Sequence, residues 1–181
     1  MIIFISGGAR SGKSSFAEKL AITTYVKKGT RLVYLATANK SDEEMTQRIQ
    51  IHQQIRGNIW DLVEEPCDVA RVLHLCKNGD VILLDCLTIW LSNVMFGEAD
   101  FDLEECLECV HEWKRIAAEK ELTLFIVSND VNEDLPSPYE LVRNYIIQLE
   151  KLHRFLVEHS NEVIQVRAGL PKYWKGRGIH K

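Results

Sequence analysis

Short apolar, β-branched runs alternate along this chain with longer amphipathic segments. Ile2–Ser6, Arg31–Thr37, Val81–Asp85, Leu122–Ser128 and Glu162–Val166 read as strands. Most are apolar at consecutive positions, which is the pattern of strands covered on both faces. The segments Lys13–Tyr25, Asp42–Ile55, Asp68–Cys76, Leu103–Lys120 and Pro138–His159 read as helices. Leu87–Phe96 continues the apolar run after Asp85 and reads as a buried helix beginning near Thr88. Strand and helix in alternation predict an α/β fold, with a mostly parallel central sheet wrapped by helices. Turns are expected at Lys28-Gly29, Asn78-Gly79-Asp80, Gly97 and Asp134-Leu135-Pro136-Ser137-Pro138.

With 181 residues, 46% of them hydrophobic, the chain is long enough to bury a core without staples, and one domain spanning 1–181 is expected. A formal net charge of -4 gives no general reason to expect nucleic acid or an anionic membrane as partner. Lys172, Lys175, Arg177, His180 and Lys181 form a local basic patch, read as a frayed, solvated tail. The five cysteines are an odd number, and no basic start with a long apolar run opens the chain, so reduced thiols and a cytoplasmic location are expected. Cys106-x-x-Cys109 falls on a helix without a second ligand pair of zinc-site spacing, so no metal role is assigned to it.

The chemistry concentrates where the first strand ends. Gly7-Gly8-Ala9-Arg10-Ser11-Gly12-Lys13-Ser14 satisfies G-x-x-x-x-G-K-[ST] between a buried strand and an amphipathic helix, which predicts a P-loop. Glycines let successive N–H groups point at an anion, and the helix adds its positive N-terminal end. Lys13 is expected to reach the β- and γ-phosphates, and the Ser14 hydroxyl to take one Mg²⁺ position, with Gly7 through Ser15 lining the nucleotide. Asp85 closes an apolar strand, where a carboxylate would lie beside the phosphate loop and hold Mg²⁺ directly or through water. The alternative is a carboxylate capping the next helix.

These segments resemble a known family. The loop with its Ala-Arg-Ser interior is followed by Tyr34-Leu35-Ala36-Thr37-Ala38, Asp42-Glu43-Glu44-Met45 and Arg48-Ile49-Gln50-Ile51-His52. Arg56, Trp60, Glu64-Glu65-Pro66 and Asp85-Cys86-Leu87-Thr88 with Trp90-Leu91-Ser92-Asn93 complete the pattern. Together they are similar to the bifunctional adenosylcobinamide kinase/adenosylcobinamide-phosphate guanylyltransferases, densely over the first half of the chain and loosely beyond. The resemblance implies a RecA-like nucleoside triphosphate fold and two activities. One phosphorylates adenosylcobinamide with ATP or GTP; the other transfers GMP from GTP to the new phosphate through a covalent histidine.

By that resemblance the histidine is His52. A lone histidine on an amphipathic helix otherwise reads as a surface or packed residue. The chemistry suits the role, because a neutral imidazole attacks an α-phosphorus well near neutral pH. Glu44, Arg48 and His52 follow at i+4 steps on one stripe of the expected helix, where Arg48 or Arg56 could stabilise phosphate charge. The resemblance further implies that Ala36, Thr37 and Ala38 line the nucleotide site, with Gln53, Gln54, Ile55 and Arg56 as its far wall. Glu64 would contact guanosine, its alternative being a solvated acidic turn before Pro66. A homo-oligomer is implied too, other members being trimers.

The chain departs from the family at the end of the expected strand Leu122–Ser128. A loop that usually carries two glycines reads Val127-Ser128-Asn129-Asp130-Val131-Asn132-Glu133-Asp134-Leu135-Pro136, which implies a reshaped loop. Glu150-Lys151-Leu152-His153-Arg154 replaces a helical signature, whereas Arg143 and Ala168-Gly169-Leu170-Pro171 keep the family pattern. His74, His111, His153, His159 and His180 are read as structural or exposed. The alternative functions are a P-loop kinase of another small hydroxylated acceptor, a member with one of the two activities, or a nucleotide-dependent switch.

Overall fold

A computed structural model describes residues 1–38, 59–97, 103–131 and 137–176. Its strands are β1 (Ile2–Gly7), β2 (Leu32–Ala36), β3 (Asp61–Glu64), β4 (Val81–Asp85), β5 (Thr123–Asn129), β6 (Glu162–Arg167) and β7 (Leu170–Lys175). The helices are α1 (Lys13–Lys28), α2 (Val69–Leu75), α3 (Leu87–Met95), α4 (Leu103–Glu119) and α5 (Glu140–His159). The helix expected over Asp42–Ile55 lies outside the described residues.

One seven-stranded sheet has the order β3-β2-β4-β5-β1-β6-β7. Six strands run parallel and β7 returns antiparallel to β6. All six parallel strands therefore end on one edge, where ligands gather in open α/β sheets. The central strands are apolar at successive positions because both faces are covered: all five residues of β4 are buried. On one face Ile3, Ile5, Leu83, Phe125 and Ile164 pack on Ala17, Leu20 and Ala21 of α1. On the other, Phe4, Leu35, Leu84, Ile126 and Val163 pack on α2, α3, α4 and α5. Trp90 and Trp113 meet edge to face at 4.7 Å in that second layer. The Trp90 indole N–H donates to Cys67 O at 2.8 Å, so the larger core buries its polar handle satisfied.

Two strands escaped the sequence pattern, and both lie at sheet edges. β3 is half exposed and only four residues long. β7 is exposed throughout, which corrects the reading of Lys172 and Lys175 as part of a frayed tail. A two-residue turn creates β7. Ala168 and Gly169 take φ 48 and 79, both left-handed, as a tight hairpin demands, and Arg167 faces Leu170 across it. An edge strand needs no apolar period, so nothing in its composition announced it.

His153, expected to be structural or exposed, is structural and partly buried. Its Nε2 lies 2.7 Å from Ser128 Oγ and its ring packs on Phe4. Burial pushes its pKa down to about 4, against a small upward pull from Asp130. The folded group therefore stays neutral where the unfolded one, near 6.5, already binds a proton. Stability contributed by neutral His153 is complete above about pH 6.5 and is lost as pH falls toward 4. Roughly 3 kcal/mol is expected to disappear across that window. Urea unfolding at a series of pH values should show the slope, and His153→Gln should flatten it; an unflattened slope would assign it to other groups.

Candidate nucleotide site

Gly7 to Gly12 form a loop between β1 and α1 at the ligand edge. The Ser11 amide donates to Gly8 O at 3.2 Å, closing a turn, and Arg10 takes a left-handed φ of 58. Gly12 stands at the N-cap of α1 with φ 87 and supplies no side-chain cap. The first helical amides are thereby left for a ligand, where Ser or Asp at this position would have consumed one. No acidic residue sits in the first turn, and Lys27 and Lys28 sit in the last, so charge follows the helix dipole. Lys13 is 8% exposed, and its ammonium donates to Gly8 O at 3.2 Å. The Ser11 hydroxyl is buried without a partner among the described residues. A helix start without a side-chain cap, beside a buried cation, is suited to one ligand class, a polyphosphate.

Sheet register sets the far side of the site. Ile5, Val127, Asp85, Ala36 and Glu64 form one row across β1, β5, β4, β2 and β3. Asp85 thus ends its strand two places across the sheet from the phosphate loop. Next to Asp85, at the end of β4, lies the buried Cys86 thiol. Burial and the Asp85 carboxylate push that thiol's pKa up; Thr88, the Ile89 amide and Lys13 act in the opposite sense. The Asp85 carboxylate does not cap α3: the N-cap is Cys86, with no side-chain cap bond. Instead Asp85 Oδ2 accepts from the Tyr34 hydroxyl at 2.7 Å, and Trp60 packs edge-on against the Tyr34 ring.

Tyr34 has its place because parallel strands in register present neighbours to one face. Ala36 opposes Asp85, so Tyr34, two residues earlier, points the same way. Sequence reasoning passed over it, although a phenol inside a buried apolar strand needs a partner. Asn93 is a similar case, its side-chain amide donating to Thr37 O at 2.7 Å and Pro66 O at 3.1 Å.

Ala36, Thr37 and Ala38 are all buried at the end of β2. The Thr37 hydroxyl donates to Cys86 O at 2.8 Å and accepts from Cys86 N at 2.9 Å, so its side chain joins β2 to β4. Glu64 is exposed at the end of β3, whereas the neighbouring Glu65 is buried. Glu65 accepts from the amides of Cys67 and Asp68 and from the Arg71 guanidinium. Desolvation pushes its pKa up, but Arg71 and those amides outweigh it and hold the carboxyl below the ordinary range. His52, Gln53, Gln54, Ile55 and Arg56 lie outside the described residues.

The donor set fits a Mg²⁺ shared with phosphate oxygens. Ser14 offers a hydroxyl at the helix start and Asp85 a carboxylate already oriented by Tyr34. Among the described residues no three His, Cys, Asp or Glu side chains could hold a metal unaided. Asp85→Asn is expected to raise the midpoint of a Mg²⁺ titration by about tenfold. An unchanged midpoint would take Asp85 out of the metal site.

Residues 3–173 match the profile of the family described as cobinamide kinase / cobinamide phosphate guanyltransferase. The chain belongs to that family. The "Bifunctional adenosylcobalamin biosynthesis protein CobP" of Pseudomonas aeruginosa is 36% identical to it, across 97% of this chain and 98% of that one. The CobU protein of Escherichia coli, similarly described, is 29% identical across 94% and 97%. Two archaeal structures share the fold. The flagellar accessory protein FlaH of Methanocaldococcus jannaschii is 18% identical with a TM-score of 0.54, covering 97% of this chain and 78% of that chain. The KaiC-like protein PH0186 of Pyrococcus horikoshii is 12% identical with a TM-score of 0.57, covering 98% and 79%. The expected α/β, RecA-like architecture is therefore the observed one. All five cysteines of this cobinamide kinase family member are free, and no described helix is long and apolar enough to cross a membrane.

Proposed function

We propose that this protein phosphorylates adenosylcobinamide from a nucleoside triphosphate and then joins GMP from GTP to the new phosphate, working in the cytoplasm as one P-loop domain. The observation that carries the reading is the uncapped loop Gly7–Gly12 with buried Lys13, set on the same sheet edge as Asp85. Its support as to substrate is membership of a family described by those two activities, with relatives named as bifunctional adenosylcobalamin biosynthesis proteins.

In the kinase step the acceptor hydroxyl oxygen attacks the γ-phosphorus. The β–γ bridging bond breaks, the nucleoside diphosphate leaves and the hydroxyl proton passes to solvent. Lys13 and the loop amides neutralise charge on the β- and γ-oxygens, which in phosphoryl transfer is most of the catalytic task. Ser14 and Asp85 would hold a Mg²⁺ that lends further positive charge to those oxygens. In the transferase step a His52 nitrogen attacks the α-phosphorus of GTP and pyrophosphate leaves. The cobinamide phosphate oxygen then displaces the imidazole from the same phosphorus, restoring His52. Ala36–Ala38 would line the nucleotide site in that step, Gln53–Arg56 would form its far wall, and Glu64 would contact the guanosine.

A homo-oligomer belongs to the same proposal. Its support is the described family; Tyr139 before α5 and Leu141, Val142 and Ile147 in its first half are exposed apolar side chains open to such a contact.

The test is product analysis with adenosylcobinamide and ATP or GTP. Adenosylcobinamide phosphate should form first, followed with GTP by adenosylcobinamide-GDP and pyrophosphate. Nucleotide hydrolysis with the corrinoid unaltered would sink the reading, and arrest at the first product would remove its transferase half.

A further inference from the structure

Ala168-Gly169-Leu170-Pro171 is remote in sequence from the phosphate loop, yet its turn is seated on that loop. The Gly169 amide donates to the Ser11 carbonyl at 2.8 Å. A Cβ on Gly12 would stand 3.4 Å from Gly169 Cα, so there is room between these two left-handed glycines for no more than a methyl group. At the loop's other end, a Cβ on Gly7 would come within 2.5 Å of Val166 O on β6, while Gly7 O accepts from Asp130 N at 3.0 Å. The β6–β7 hairpin therefore touches both ends of the loop.

The hairpin is itself tied down. Gln165 donates to Asp130 Oδ2 at 3.0 Å and accepts from the Trp174 indole at 3.3 Å. The Lys172 ammonium lies 3.6 Å from the centre of the Trp174 ring.

A trans peptide is planar, with its carbonyl and its N–H pointing in opposite directions. Anchoring Ser11 O to the hairpin thus aims the Gly12 N–H away from the hairpin. We propose that Gly169 is a positioning residue of the phosphate site: its amide locks the Ser11–Gly12 peptide so that the Gly12 N–H faces the bound triphosphate. This rests on the reading of Gly7–Ser14 as a polyphosphate cradle. Donors fixed before the ligand arrives need no reorganisation when it binds.

The proposal makes separate demands on position 169. It needs an N–H and a left-handed backbone (φ 79), but not a missing side chain, since nothing lies within 4 Å of a Cβ built there. Gly169→Asn keeps the N–H and tolerates left-handed φ. Gly169→Val keeps the N–H but resists that φ. Semisynthesis of the C-terminal segment with glycolic acid at 169 changes the amide to an ester and removes the donor alone.

The readout is the affinity for inorganic tripolyphosphate, measured by displacement of a fluorescent GTP, with folding followed by circular dichroism. The ester and Gly169→Val are expected to weaken tripolyphosphate binding about tenfold, and Gly169→Asn less than about twofold. A hairpin that merely stabilised the fold would lower the melting temperature and leave that affinity unchanged. Should Gly169→Val fail to fold, the ester decides. Wild-type affinity in the folded ester protein would overturn the role of Gly169 while Lys13→Ala still weakened binding. Wild-type protein that bound no tripolyphosphate, or bound it equally after Lys13→Ala, would overturn the cradle and this proposal with it.

Discussion

Lys13→Ala is expected to lower kinase turnover by about 10²–10³-fold at saturating nucleotide. The ammonium is nearly buried at the loop, donating to Gly8 O, and it is poised to exchange that carbonyl for phosphate oxygens. Charge within a partly desolvated cradle acts more strongly than charge in water, because fewer solvent dipoles screen it. Removing it leaves the loop amides, which still bind but cannot balance the charge spread over the transferring group. The check is steady-state kinetics alongside thermal unfolding. Near-normal turnover in a cooperatively folded variant would mean that the phosphates lie elsewhere.

The second large effect concerns the transferase. His52→Ala is expected to abolish labelling of the protein by α-labelled GTP and to cut GMP transfer by roughly 10³-fold or more, leaving the kinase step in place. A phosphoramidate is labile in acid and stable in base, so the label on the wild-type protein should show that signature. Persistent label in His52→Ala would move the nucleophile to another side chain. Absence of label in the wild type, with adenosylcobinamide-GDP still formed, would replace the covalent route by direct attack. On the proposed roles the two variants differ in scope: Lys13→Ala would weaken both steps, since each uses a bound triphosphate, whereas His52→Ala would stop the transferase alone.

Much of this architecture was legible in the sequence. Five of the seven strands were legible, most of them as consecutive apolar residues, because a strand buried on both faces carries few polar ones. The phosphate loop showed because only a restricted set of residues gives that turn followed by a helix start. Asp85 showed as the polar end of a five-residue buried run. What composition left open about Asp85, metal ligand or helix cap, was narrowed by register: alignment of Ala36 with Asp85 put the Tyr34 hydroxyl on the carboxylate. Glu65 was missed beside Glu64 because adjacent carboxylates look alike until the chain turns one of them inward, onto amides and an arginine. The hairpin was missed because β7 is exposed on every residue and obeys no burial pattern.

The sequence by itself determined the fold class, the phosphate loop and the family, since each is written in local spacing: apolar runs, a glycine pattern, a string of short motifs. Tertiary structure alone decided that Tyr34 meets Asp85, that Thr37 joins two strand ends, and that the Ala168–Gly169 turn rests on Ser11 and Gly12. Those contacts join residues about 50 to 160 positions apart. They depend on strand order and register, which follow from how the whole core packs and not from any one segment.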